Sequence, residues 1–196
     1  MVGLLAVHVR DLVRKIACDI MTPVVRGMKN KGFAYKGFLY AGMMMTEEGP
    51  KVIEFNARFG DPECQPAMMM LKSDLYDVLS LSLDGKLDQV KMELNPGASC
   101  CVVLASKGYP GDYKKGLVIS GLEGAAKIKD VEIFHAGTEL YGGKIRTSGG
   151  RVLGVTSYSP NGIADAQRLV YEAVSKINIP GGFHYRKDIA DKVIRK

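Results

Sequence analysis

Val52-Ile53-Glu54-Phe55-Asn56-Ala57-Arg58-Phe59-Gly60-Asp61-Pro62-Glu63 starts as a strand and ends as a polar loop. Side chains alternate between faces along a strand. The alternation predicts Glu54, Asn56 and Arg58 on one face, opposite Ile53, Phe55 and Ala57. A carboxylate, an amide oxygen and a guanidinium then stand in a row. A hard divalent cation such as Mg²⁺ takes oxygen ligands, often one or two protein groups completed by phosphate oxygens and water. A neighbouring arginine can grip a phosphate or carboxylate with a two-pronged hydrogen bond. The row suits a metal–nucleotide. It also suits a plain antiparallel strand with one wet face. The turn Gly60-Asp61-Pro62 then adds Asp61 and Glu63 close behind, more charge than a solvated face requires.

The chain has 196 residues, enough for one domain or two small ones. It is 46% hydrophobic and 24% charged, an ordinary globular balance. No apolar run approaches the roughly 18 residues of a membrane span. Met1 to Val9 is apolar but short, without a basic start or a small-residue cleavage site, so no secretory signal is expected. Cys18, Cys64, Cys100 and Cys101 form no Cys-x-x-Cys pair and no zinc spacing, and reduced thiols in a cytoplasmic protein are expected. Cys100 and Cys101 should point to opposite faces of a strand. The net charge of +6 comes from scattered basic residues. No aromatic-interleaved basic motif is present, so neither nucleic acid nor membrane is an expected partner.

Val9, Leu12, Val13, Ile16, Ala17 and Ile20 recur at helical spacing, predicting a helix to Lys31 that Pro23 kinks or restarts. Lys36–Met45 and Lys51–Asn56 read as strands joined by the Thr46–Pro50 loop. Gln65–Leu83 reads as one helix with Met68-Met69-Met70-Leu71 as core filler, ended by Asp84-Gly85. Asn95-Pro96-Gly97 marks the expected boundary between a domain at 1–94 and one at 95–196. Beyond it, Ser99–Ser106, Gly116–Ser120, Val131–His135, Lys144–Thr147 and Arg151–Tyr158 are short strand candidates between glycines. Ile163–Ile177 is an amphipathic helix, and Phe183–Ile189 a last strand or tail. The expected fold class is α+β, with a small antiparallel sheet and one packed helix in the second half.

Arg58-Phe59-Gly60-Asp61-Pro62-Glu63 closely resembles the glycinamide ribonucleotide synthetase (phosphoribosylamine–glycine ligase) family of the ATP-grasp superfamily. The resemblance takes in Tyr35–Gly42 and Leu71–Leu75. It continues through Ala105-Ser106-Lys107-Gly108-Tyr109-Pro110-Gly111, Phe134–Thr138, Gly149-Gly150-Arg151-Val152-Leu153 and Tyr185-Arg186-Lys187-Asp188-Ile189. The motifs run in the family's order from about Lys15 to the end, and Met1 to His8 fall outside them. The match covers the family's C-terminal half, without its N-terminal domain or ATP lid.

The resemblance implies the C-terminal half of an ATP-grasp core followed by the small antiparallel-sheet module. It implies ATP as co-substrate, Mg²⁺ (or Mn²⁺) as cofactor, and glycine and 5-phosphoribosylamine as substrates. Glu54 and Asn56 would hold the metal. The preceding strand, Tyr40-Ala41-Gly42, offers no acidic ligand, so phosphates and water would complete the set. Arg58 would steady the transferred phosphoryl or the glycine carboxylate. Asp61 would orient an amine, or else cap the turn or the helix after Pro62. Glu63 near that helix start has a dipole-stabilising alternative. Lys107, Gly149, Gly150 and Arg151 are candidates for the ribose phosphate, with Ser148-Gly149-Gly150 serving either as a backbone cradle or as a tight turn. Without lid and N-terminal domain the chain is expected to be inactive alone. Its expected partners are the missing half of the same enzyme or a second copy of itself. A non-catalytic binding module is the alternative.

Overall fold

A computed structural model describes residues 10–195, so the expectations placed on Met1 to Val9 lie outside the described residues. The chain divides into two compact units. One contains residues 10–60 and 72–94; the other contains 61–71 and 95–195.

In the first unit, α1 (Arg10–Ile16) runs through a π-helical turn, Ala17–Met21, into α2 (Thr22–Asn30). Pro23 sits in the first turn of α2, where the missing N–H costs nothing, so it restarts the helix as expected. The strands β1 (Tyr40–Thr46) and β2 (Gly49–Asn56) form an antiparallel hairpin. Thr46 pairs with Gly49, so the loop is shorter than the sequence suggests. The predicted helix Gln65–Leu83 is two helices, α3 (Cys64–Met70) and α4 (Leu75–Leu83). Asp74 ends the continuity: its backbone is extended and its carboxylate accepts the Tyr76 N–H at 2.7 Å, an N-cap.

The second unit is built on β3 (Ala98–Ser106), α5 (Leu122–Ala126), β4 (Val131–His135), β5 (Thr138–Tyr141), β6 (Lys144–Thr147), β7 (Arg151–Ser159), α6 (Ile163–Lys176), β8 (Phe183–His184) and α7 (Asp191–Ile194). Its four-stranded sheet has the order β4-β7-β3-β8, with antiparallel neighbours throughout. The small antiparallel sheet with a packed helix is therefore present. One strand expectation needs correction: Gly116–Ser120 makes only isolated bridges, through Val118 and Ser120. Phe183–Ile189 is a strand for its first two residues, paired with β3, and a tail after them, with glycines 181 and 182 turning the chain just before it. β5 was not foreseen; it pairs with β6 in a separate hairpin.

Alternation along β3 builds two layers. Cys100, Val102 and Leu104 join Ala166, Val170, Ala173 and Val174 of α6 in the core. The opposite face carries Cys101 and Val103. The helix α3 packs against β3 and β7 and buries Met70 to 1% exposure. β7 lies between β4 and β3 and is buried almost end to end; its inner polar residues are held in hydrogen bonds, as where the Ser157 hydroxyl donates to the Ala166 carbonyl and the Ser159 hydroxyl to Asp165. All four cysteines are free, and the adjacent pair splits between faces as expected.

Two predictions follow from this core. Leu104→Ala, at a fully buried position, lowers unfolding free energy by about 2–5 kcal/mol, whereas Leu140→Ala on the exposed β5–β6 hairpin changes it by about 0.5 kcal/mol or less; urea denaturation measures both. Burial raises the Cys100 thiol from 9.0 to about 12 and Cys101 to about 11. Raised thiol values favour the protonated folded state, so this stability is intact below about pH 9 and is lost as pH climbs toward 11–12. Cys100→Val flattens that alkaline loss in a melting-temperature profile.

Candidate functional site

The sequence-predicted residues fall in both units, and each group is described within its own. In the first, Gly42 of β1 is the register partner of Glu54 and Tyr40 that of Asn56. Glu54 and Asn56 stand two apart on β2, hence on one face. A β-carbon on Gly42 would come within 3.0 Å of the Glu54 Cγ, so the glycine leaves that side of Glu54 open. Glu54 is exposed, Asn56 half-buried, and neither side chain makes an ion pair or hydrogen bond among the described residues. Two uncommitted oxygen donors at this spacing fit a hard cation that keeps most of its shell for water and phosphate. No cluster of three or more His, Cys, Asp or Glu side chains with metal-binding geometry exists among the described residues, so such an ion would rest on this pair.

Arg58 does not continue the row by strand alternation. β2 ends at Asn56, and Arg58 sits in the bend that follows, donating to the Phe59 carbonyl at 2.8 Å. The bend is held by the Phe38–Phe59 ring pair, centroids 3.8 Å apart.

In the second unit the structure joins two candidates that lie 90 residues apart in sequence. Arg151, the first residue of β7, donates to the Asp61 carbonyl at 2.9 Å, and its other terminal nitrogen lies 3.1 Å from Asp61 Oδ2. Gln65 Nε2 on α3 donates to Asp61 Oδ1 at 3.2 Å. Asp61 thus orients an arginine; its carboxylate takes these side-chain partners, and Glu63, the residue that precedes α3, makes no side-chain cap.

The turn Ser148-Gly149-Gly150 is committed to packing. The N–H groups of Ser148 and Gly149 both donate to the Gly137 carbonyl, at 2.7 and 3.2 Å. A β-carbon on Gly150 would lie 2.1 Å from the Tyr109 ring, and one on Gly137 would lie 2.6 Å from the Gly149 Cα. The glycines are there so that a ring and a second backbone can approach. Two of the donors a phosphate cradle would use are taken, so the cationic contribution beside the turn is the Arg151 side chain, itself paired with Asp61. Lys107 lines a separate cavity of about 520 Å³ with Lys114 and Tyr113. His135 Nδ1 lies 2.9 Å from the Thr138 hydroxyl, in keeping with a structural role.

Asp61 and Arg151 line a smaller cavity, about 260 Å³. Cys101 and Val103 form its floor, and Pro62, Ile189 and Arg186 complete the wall. Burial keeps the Cys101 thiol protonated at neutral pH, so the floor is uncharged. Arg186, within the Tyr185–Ile189 motif but not among the residues expected at the site, lines this cavity. Sequence analysis missed Gln65, which carries no motif signal.

The antiparallel hairpin bearing oxygen donors, followed by a sheet covered by helices on both faces, is the architecture of the C-terminal part of an ATP-grasp protein. N5-carboxyaminoimidazole ribonucleotide synthetase from Thermotoga maritima shares this fold with a TM-score of 0.61 at 17% identity, over 90% of this chain and 44% of that one. Two models of one family match here: the phosphoribosylglycinamide synthetase ATP-grasp (A) domain over residues 2–64 and its C domain over 99–192. The chain belongs to the phosphoribosylamine–glycine ligase family. Residues 2–8, which sequence analysis left outside the resemblance, fall within the ATP-grasp match.

A phosphoribosylamine–glycine ligase from Rhodopirellula baltica is 48% identical over 185 residues, 94% of this chain and 42% of that protein. The crystal structure of a phosphoribosylamine–glycine ligase from Thermotoga maritima superposes with a TM-score of 0.75 at 32% identity, over 91% of this chain and 43% of that one. The chain thus spans about two fifths of the length of the relatives it matches.

Gly150→Ala forces the Tyr109 ring aside and is expected to cost about 1–3 kcal/mol, as overpacking does. Asp61→Asn breaks an ion pair whose side chains are each 43% exposed, and its stability cost stays below about 1 kcal/mol. Thermal melts of the two variants beside the parent chain check the contrast.

Proposed function

We propose that this chain is the C-terminal part of a ligase that joins glycine to 5-phosphoribosylamine in de novo purine biosynthesis, in the cytoplasm. ATP transfers its γ-phosphoryl to a glycine carboxylate oxygen and leaves as ADP. The phosphoribosylamine nitrogen then attacks the activated carbonyl carbon, phosphate departs, and an amide bond remains. The observation that carries this reading is the match of two models of one enzyme family, in chain order, to most of this sequence.

The residues divide the chemistry. Glu54 and Asn56 supply oxygen ligands toward a Mg²⁺ or Mn²⁺ ion. When bound, that ion neutralises phosphate oxygens, the main need of phosphoryl transfer. Arg58 is placed one bend further on, where its guanidinium steadies the transferred phosphoryl or the glycine carboxylate. Asp61, already paired with Arg151 and Gln65, offers its remaining carboxylate lone pairs to a substrate amine, and Arg151 serves the phosphate of the ribose, whereas Lys107 lines a different cavity and is left out of that contact. The domain division at 1–94 and 95–196 belongs to the same proposal, with the segment 61–71 joined to the later part by contact.

The hairpin β1–β2 favours a partner. Met44, Met45, Ile53 and Phe55 are all more than 40% exposed. A two-stranded sheet is marginal without a covering layer. The remaining part of the same enzyme is the natural cover. A second reading, a non-catalytic module that uses this surface for assembly with itself or another chain, rests on the same exposure.

Mixing separates the two. This chain with ATP, Mg²⁺, glycine and phosphoribosylamine is expected to release no ADP until the N-terminal part of a related ligase is added. Turnover by the chain alone would show the lid to be dispensable. No rescue on mixing would favour the assembly module. Glu54→Gln lowers rescued activity about ten- to a hundredfold at limiting Mg²⁺, the scale of damage to a metal shell, while leaving the melting temperature unchanged. Undiminished activity would remove Glu54 from the metal site.

A further inference from the structure

The cavity beside Asp61 holds a second guanidinium that no part of the proposed chemistry uses. Ala105 pairs with Arg151 of β7 on one side and with His184 of β8 on the other. Arg186 follows β8 by two residues, so Arg151 and Arg186 approach from opposite flanks of β3 and line one cavity over Cys101 and Val103.

Both arginines are held in place by carboxylates that leave donors to spare. Arg186 grips Asp188 through Nε at 2.9 Å and through a terminal nitrogen at 2.7 Å. Arg151 spends one N–H on the Asp61 carbonyl and one on its carboxylate. A guanidinium has five N–H donors. Three remain on each arginine without a partner among the described residues. Of the residues lining the cavity, Asp61 alone is acidic, and the floor is neutral. Both guanidiniums are about half exposed, so an anion reaches them from solvent, and two forked donor sets facing one small space favour an oxyanion between them. The volume, about 260 Å³, is smaller than the pockets of drug-sized ligands and suits one oxyanion group or a two-carbon amino acid.

We propose that Arg186 is a substrate-binding residue that joins Arg151 in a two-guanidinium clamp for an oxyanion group, the carboxylate or phosphate of a small substrate. The choice of probes rests on the ligase reading, whereas the clamp itself is tested by binding, without turnover. The full chain, labelled with ¹⁵N, is titrated separately with glycine, ribose 5-phosphate and inorganic phosphate, and amide shifts are followed.

Saturable binding of glycine identifies the carboxylate as the clamped group. Saturable binding of ribose 5-phosphate and phosphate identifies the phosphate. In either case Arg186→Gln and Arg151→Gln each weaken binding about tenfold or more, the scale of one lost charge-assisted contact. Lys114→Gln, in the other cavity, leaves binding unchanged. Arg186→Lys keeps the charge without the planar fork and falls between parent and Arg186→Gln; it also serves if Arg186→Gln does not fold, which its amide spectrum reveals. Equal affinity in the parent and the folded Arg186 variants, or no saturable binding of any probe, overturns the clamp and leaves the mixing assay of the ligase reading standing.

Discussion

The pairing of β3 with β7 is the constraint on which the second unit depends. It runs from Ala98 opposite Ser159 to Ala105 opposite Arg151, with a shift after Leu104. One face of this ribbon takes α6 and the other takes α3, so the same register fixes the core and the cavity floor. Registers in such strands cannot slip by one residue without exchanging faces. Cys101 and Val103 lie under the arginines because Cys100, Val102 and Leu104 lie under α6.

The first unit is organised differently. Among the described residues, Met44, Met45, Ile53 and Phe55 of its hairpin are exposed. The polar face of β2 is open too, because Gly42 puts no side chain across from Glu54.

Much of this was legible in the sequence, and the reasons are local. Val131–His135, a β-branched and aromatic run between turn residues, is β4 to the residue. Ile163–Lys176 shows its helical stripe because one side meets the sheet. The family emerged from contiguous motifs, and so did Glu54 and Asn56 as a pair. The misses are long-range or masked. The apolar run Met68–Leu71 hid the break before Asp74. The joining of Asp61 to Arg151 across 90 residues has no local signature, and the need for glycine at 150 is imposed by a ring at 109. Glycines 149 and 150 look alike in a sequence whether they face a phosphate or a tyrosine.

The segment 61–71 belongs by contact to a sheet that the chain does not begin until Ala98. The chain therefore passes from one unit to the other, returns, and passes again. Neither unit can be completed as an uninterrupted stretch emerging from the ribosome. α3 packs against both β3 and β7, so its full packing surface includes a strand that begins only at Arg151. Loop closure costs entropy before contacts repay it, so such an order slows assembly. Synthesis from the N-terminus thus makes α3 well before the sheet it covers.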